Sequence, residues 1–372
     1  MTKMMVRMVA KLVRAILVVL ALVTLIPVAG LAYGWMTTDP VQLAAQDIAE
    51  PPPAIAERLR AEVSHYQQQE ASTFLSYPEW SIAYSARDYA RFIAGRRESG
   101  FPYWAYVELY WRDYATMIRA TAGYPFSFRN HLMPAVTGAG HTIENAVQSI
   151  YENTVGRLTE LVSPIRTPQD RFVAMVASEY AGFVHHMPWY EFPFAEKRAA
   201  LWETRAAVGV ARLRSWERKI VCGAAYTFKQ VSADLVRAAL GSTATPRDVL
   251  VWATGPVETA IADIPDTSLV EGLGDDGAVF GMRRNALTDM AAGLVEQGIR
   301  FVQIDGSNLI LLTVLASGDT NMPADGQQLF AHDLPADPST RRIGVVLPVS
   351  TLHETIRAIL AGNGRIERIY DY

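Results

Sequence analysis

His141-Thr-Ile-Glu-Asn-Ala-Val-Gln-Ser-Ile-Tyr-Glu-Asn-Thr-Val-Gly-Arg-Leu158 is the stretch whose reading decides the fold. His141, Glu144, Gln148 and Glu152 stand at i, i+3, i+7 and i+11, so a helix places them on one face. Ile143, Val147, Ile150, Thr154 and Leu158 run along the opposite face. Two stripes at a helical period predict an amphipathic helix over 134–162, its apolar stripe turned inward and its polar stripe to solvent.

Working outward, the same period predicts helices over 54–72, 79–95, 103–121, 168–187, 194–219 and 224–240. Gly100-Phe-Pro102, Gly123-Tyr-Pro125, Ser163-Pro164 and the run from Pro188 to Pro193 punctuate them. This predicts an all-α domain over 54–241, preceded by a linker over 36–53 that ends in Pro51-Pro52-Pro53 and is stiff and extended.

Beyond the loop-like Gly241-Ser-Thr-Ala-Thr-Pro246 the period changes. Val249–Thr254, Ala278–Arg283, Ile299–Asp305, Leu309–Ala316, Ile343–Leu347 and Ile366–Tyr370 are β-branched or alternating runs of strand length. Helices are expected at Asn285–Gln297, closed by Gly298, and at Thr351–Leu360, opened by the capping box Thr351-Leu-His-Glu354. The order is βαβ, an added strand, then βαβ, which predicts a ferredoxin-like α+β sandwich with extra strands over 247–372. No internal repeat is visible in the sequence.

Toward the N-terminus, Ala15–Trp35 reads AILVVLALVTLIPVAGLAYGW, 21 residues without a charge. At about 1.5 Å per residue such a helix matches the hydrocarbon core of a bilayer. Lys3, Arg7, Lys11 and Arg14 precede it in a basic flank over 1–14, and no acid occurs before Asp39. The expectation is a single transmembrane helix over 15–35, with a cytoplasmic N-terminus and the body outside. A cleaved signal peptide is the competing reading; its apolar region runs about 7–15 residues, shorter than this one. Both readings export the body. The 29 arginines against 5 lysines suggest a GC-rich bacterial gene, hence a bacterial inner-membrane protein with a periplasmic or otherwise extracytoplasmic body.

Composition narrows the function classes. Half the 372 residues are hydrophobic, which excludes a disordered chain, and the one cysteine, Cys222, excludes a disulfide scaffold. Mean hydropathy is +0.08, raised chiefly by the 15–35 run. The formal charge of −4 argues against nucleic-acid binding. From Arg247 onward there are 17 acidic and 9 basic residues, while Met36–Pro246 balances at 21 of each.

Of 37 aromatic residues, 29 fall between Met36 and Phe228. They read first as packing and second as a surface or groove for a lipid, quinone or isoprenoid tail. Within the helix predicted at 168–187, Glu179 sits among Met175, Val176 and Phe183, where a buried carboxylate requires a partner. His186 lies two turns further along. If that helix packs antiparallel to 134–162, then His141, Glu144, Glu179 and His186 converge as candidate ligands for zinc, iron or manganese. A structural ion pair is the competing use of Glu179, with Arg129, His131 or Arg157 as partners by type. Phe194–Lys219, with seven basic and three acidic residues, reads as a solvated bundle helix or as a basic amphipathic helix on anionic lipid.

No Walker A, GxSxG or HExxH motif is present, and Gly272-Leu-Gly274-Asp-Asp-Gly277, which has GxGxxG spacing, reads as a Gly/Asp loop that no expected strand immediately precedes. The expectation is therefore a membrane-anchored envelope protein that touches the bilayer through 15–35 and docks a protein partner or a lipid ligand. A membrane-bound metalloenzyme acting on a hydrophobic substrate is the alternative.

Overall fold

The computed structural model describes residues 25–43, 50–63, 66, 71–240, 248–317, 326–362 and 364–370. The fold is α+β: helices fill the N-terminal half and antiparallel sheets follow. Residues 25–37 form α1, and the helical half continues with α2 (Pro53–Glu62), α3 (Tyr77–Gly95), α4 (Tyr103–Ala120), α5 (Phe128–Tyr151) and α6 (Arg157–Val162). It ends with α7 (Pro168–Val184), α8 (Phe194–Glu203) and α9 (Ala211–Leu240). A π-helical turn, Glu152–Gly156, joins α5 to α6 without a break, so the helix expected over 134–162 begins one and a half turns earlier and keeps Pro134 inside it.

The expected helix over 194–219 is instead two elements. The chain leaves helix after Glu203, passes Gly209 at φ +63°, and restarts as α9, which absorbs the helix expected at 224–240. Asp170 at the third position of α7 closes a capping box with Thr167: the Asp170 amide donates to Thr167 Oγ1 at 3.1 Å, and the Thr167 amide donates to Asp170 Oδ2 at 2.9 Å.

The apolar run at 15–35 requires a correction. Residues 15–24 lie outside the described residues, and the described part of α1, about 20 Å long, does not stand apart from the protein. Its glycine edge lies on α4: a Cβ on Gly30 would enter the Trp111 ring, and one on Gly34 would enter the Trp111 carbonyl. Arg119 of α4 stacks on Trp35 at 4.3 Å and donates to the carbonyls of Trp35, Thr38 and Asp39. Among the described residues no helix is long and apolar enough to cross a membrane. This finding corrects the expected single-pass transmembrane helix, and with it the inner-membrane placement that was built on that anchor.

The C-terminal third also differs from expectation. The strands do not join one ferredoxin-like sheet with extra strands but form two four-stranded sheets. β1 (Asp248–Thr254), β2 (Ser268–Gly272), β3 (Ala278–Arg283) and β4 (Arg300–Ile304) lie in the order β2-β3-β1-β4. β5 (Leu309–Ser317), β6 (Gln327–Leu334), β7 (Asp337–Pro348) and β8 (Arg365–Tyr370) lie in the order β6-β7-β5-β8. The short α10 (Val257–Ile261) follows β1; α11 (Arg284–Glu296) links β3 to β4, and α12 (Leu352–Ala361) links β7 to β8. In each sheet the helix-linked strands are kept apart by the first strand of the set, which pairs antiparallel with both. One strand order is thus used twice, a structural repeat with no visible sequence repeat.

The two sheets share a core. Val249, Val251 and Phe280 of the first meet Leu312, Val345 and Leu347 of the second, with Leu287 and Leu294 of α11 and Ile356 and Ile359 of α12 between them. Each helix also reaches the other unit: Thr288 Oγ1 of α11 accepts from the Ile369 amide at 3.0 Å, and Arg357 of α12 donates to the Val295 carbonyl at 3.3 Å. The alternate residues are covered too, which explains why these strands read as near-continuous apolar runs. Leu250, Trp252 and Val279 pack on Leu59 and Tyr66, whereas Leu311, Val346 and Tyr370 pack on Tyr77, Tyr84, Tyr110 and Trp111 of α3 and α4.

Candidate functional site

The polarity of the α5–α6 helix is opposite to that expected. Of its expected polar stripe His141 and Glu152 are buried, Gln148 is half-buried and Glu144 stays exposed; the inward face is completed by Asn145, Ser149 and Thr159. Its apolar stripe turns outward, with Leu132, Val136, Ile143, Val147, Ile150, Leu158, Leu161 and Val162 exposed, Leu161 by 76%. α9 repeats the inversion. Arg214, Ser215, Glu217, Arg218 and Lys219 are buried, while Leu213, Trp216, Ile220, Phe228, Val231 and Leu235 are exposed. The basic residues expected on a solvated face of 194–219 are thus partly an interior feature.

The interior so formed is an ion network at the junction of α7, α9, the π-turn and the short turn Glu98–Gly100. Arg218 donates to both oxygens of Glu152, at 2.7 and 2.9 Å, the bidentate geometry that suits guanidinium to carboxylate. Arg214 donates through Nε to Asp170 at 3.0 Å and through Nη1 to the Gly156 carbonyl at 3.0 Å and Thr159 Oγ1 at 2.9 Å. Its Nη2 lies 3.5 Å from Glu98 and from Glu160. A π-turn leaves backbone groups outside the ordinary helical ladder, and here the Gly156 carbonyl receives Arg214. A Cβ on Gly156 would collide with the Glu152 carboxylate, so the turn needs glycine at this position.

Burial and pairing divide the acids of the network. Burial alone would raise Asp170, but Arg214 beside it overrides this and holds the carboxyl below its ordinary range. Burial raises Glu98, against the pull of Arg218, and lifts Glu217 to about 7. Burial also raises the Cys222 thiol to about 11, so it is protonated near neutrality and is not a ready nucleophile.

A second buried network joins the helical half to the second sheet. Arg342 of β7 donates to both oxygens of Glu367 in β8, at 2.6 and 2.9 Å, and its guanidinium lies over Tyr84 at 4.6 Å. Arg87 also pairs with Glu367, and Tyr106 donates to Asp88 at 3.1 Å. The two arginines outweigh the cost of burial and hold Glu367 below its ordinary range.

Beside the first network a shallow groove of about 420 Å³ opens between the end of α3 and α6. Phe92, Leu161 and Pro164 form apolar walls, and Arg96, Arg97 and Arg157 also line it. Arg97 is committed to the Ser163 and Pro164 carbonyls and lies 3.7 Å from Asp170. Arg96 lies over the Phe92 ring at 5.1 Å. Among the described residues neither Arg96 nor Arg157 lies within 4.0 Å of a carboxylate, although the exposed Asp337 feels the Arg96 charge. Glu160 on the inner wall accepts from Ser99 Oγ at 2.5 Å and lies against Arg214.

The four metal-ligand candidates are not brought together. His141 is buried against Tyr110 and hydrogen-bonded with Asn145, and burial lowers it to about 4. Glu144 is exposed and pairs with Lys229 at 2.6 Å. Glu179 is not buried in the stripe; it is exposed and pairs with Lys197 of α8. His186 lies exposed in the turn after α7. Among the described residues no group of three or more His, Cys, Asp or Glu side chains is placed to hold a metal ion.

The residues that sequence reasoning missed are Arg214, Arg218, Arg342 and Glu367. For the first two a signal was present: Arg214 and Arg218 are one helical turn apart, on the side of α9 away from Leu213, Trp216 and Ile220. Arg342 and Glu367 alternate with apolar residues in strands and gave none. Comparisons with protein-family models, with curated proteins and with solved structures find no match.

Proposed function

We propose that this chain is a lipid-binding module that holds amphiphilic lipid on the outward face of α5, α6 and α9. The observation that carries this reading is the inverted polarity of α5–α6 and α9. In water, apolar surface costs about 25 cal/mol per Å² left exposed, and each buried charge needs a well-placed partner. A helix pair that hides arginine and glutamate while presenting leucine, isoleucine and tryptophan fits a hydrocarbon environment, where ionisable residues turn inward and apolar ones outward. The exposed run on α5–α6 extends from Leu132 to Val162, far beyond the scattered single residues usual on a protein surface. The metal reading has no such support, because Glu144 and Glu179 are each matched to a lysine.

The test is flotation of the full chain with phosphatidylcholine vesicles, compared with an Ile150→Ser/Leu158→Ser/Leu161→Ser variant. The expected result is binding by the parent chain and its loss in the variant. Undiminished binding by the variant would sink the reading. So would a concentration-dependent dimer in light scattering that the same substitutions abolish while vesicle binding persists, since the face would then serve a second copy.

A further inference from the structure

We infer that the groove between α3 and α6 is a headgroup site, which binds the anionic phosphate of a lipid whose chains lie along the outward stripe of α6. The inference rests on the lipid-binding reading above and adds to it a preference for anionic headgroups.

Its first support is the distribution of guanidiniums. Arg214 and Arg218 spend their donors inside the protein, and Arg97 spends its own on two carbonyls and Asp170. Arg96 and Arg157, which line the same groove, make no ion pair within 4.0 Å among the described residues, and the carboxylate that feels Arg96 is the exposed Asp337. A planar guanidinium suits phosphate oxygens, and two at one opening offer more donors than a single oxyanion needs.

The second support is continuity. Leu161 lines the groove and also belongs to the exposed stripe, with Leu158 one turn before it and Val162 beside it at the end of α6. An amphiphile with its phosphate between Arg96 and Arg157 would therefore have apolar surface on which to lay its chains. A free phosphate would use only the arginines.

Glu160 is the one acid in the groove, and it would repel an anion if it faced the opening. Its oxygens are instead engaged by Ser99 and Arg214 on the interior side. The groove is shallow, about 420 Å³, which suits a headgroup with its chains outside rather than a wholly enclosed lipid.

The experiment measures binding of the full chain to vesicles of phosphatidylcholine alone and to vesicles containing one-fifth phosphatidylglycerol. The comparison is with an Arg96→Gln/Arg157→Gln variant whose thermal midpoint is checked alongside. At about a fivefold gain per arginine near an anionic surface, the parent chain is expected to prefer the anionic vesicles by roughly 25-fold, and the variant to lose that preference. Equal binding of the parent chain to both vesicles would overturn the headgroup site while leaving the lipid reading intact. Binding to neither would overturn the lipid reading itself. Saturable binding of inorganic phosphate that depends on both arginines, without any preference between the vesicles, would assign the groove to free phosphate and also overturn the inference. An Arg96→Lys/Arg157→Lys variant should recover part of the preference, since it keeps the charge but not the fork.

Discussion

Where Leu312, Val345 and Ile356 fill the space between the two sheets, the matching space between the π-turn, α7 and α9 holds Arg214, Arg218, Glu152 and Asp170. The sheet half is stabilised by area removed from water, a non-directional effect that tolerates volume-conserving exchange. The helical half depends on matched charges, where each group is costly without its partner and geometry is strict. The difference teaches that amphipathicity identifies two faces of a helix without saying which is inside. That choice is made by what the neighbouring elements offer.

Substitutions can break the comparison, and the largest effects should fall on the ion network. Arg218→Leu strands Glu152 in a buried site and should cost about 3–5 kcal/mol in urea unfolding, the range for breaking a buried pair from one side. Replacing Arg218 and Glu152 together with leucine should recover much of that loss; if the double variant is no better than the single, matched charge is not what holds these helices. In the sheet half, Leu312→Ala should cost about 2–5 kcal/mol through an ordinary cavity, with no partner whose removal restores stability. Gly156→Ala, which drives a methyl into the Glu152 carboxylate, should cost about 1–3 kcal/mol in the same measurement.

Acidity sharpens the contrast with a smaller effect. Glu217 has its folded pKa raised to about 7 by burial, so the folded state holds that proton more tightly than the unfolded chain does. Its contribution is full below the ordinary carboxyl range and is lost as pH rises through about 7, on the order of 2 kcal/mol between pH 5 and 7.5. Glu217→Gln should flatten that part of the stability profile; an unchanged slope would assign it elsewhere. Smallest of all, Ile150→Ser should shift stability by no more than about 0.5 kcal/mol although it removes a large apolar side chain, because that side chain is exposed.

Much of this architecture was legible in the sequence. Periodicity located the helices because 3.6-residue spacing survives whichever face is buried. Val249–Thr254 and Leu309–Ala316 were recognisable as strands because both of their faces are covered and apolar. The Ser268–Gly272 strand was missed because it is short and mostly exposed, and Gln327–Leu334 because glutamine and histidine interrupt its apolar residues. Without these two strands the remaining ones suggested one sheet rather than two. The polarity of α5–α6 was beyond local reading: His141 and Glu152 look solvent-facing until Tyr110 and Arg218 are brought against them from elsewhere in the chain. The headgroup groove likewise draws Arg96 and Arg157 from segments 61 positions apart.

The second sheet has one further consequence. Leu312 and Val345 look into the inter-sheet core while Leu311 and Val346, their immediate chain neighbours, look into the helical half. β5 and β7 are therefore walls common to two compartments, and neither compartment can open fully while the other stays intact. Backbone amides of Leu311, Leu312, Val345 and Val346 should be among the slowest to exchange with deuterium, released only by global unfolding. Calorimetry should accordingly record the described helices and sheets melting as one cooperative transition rather than as separable units.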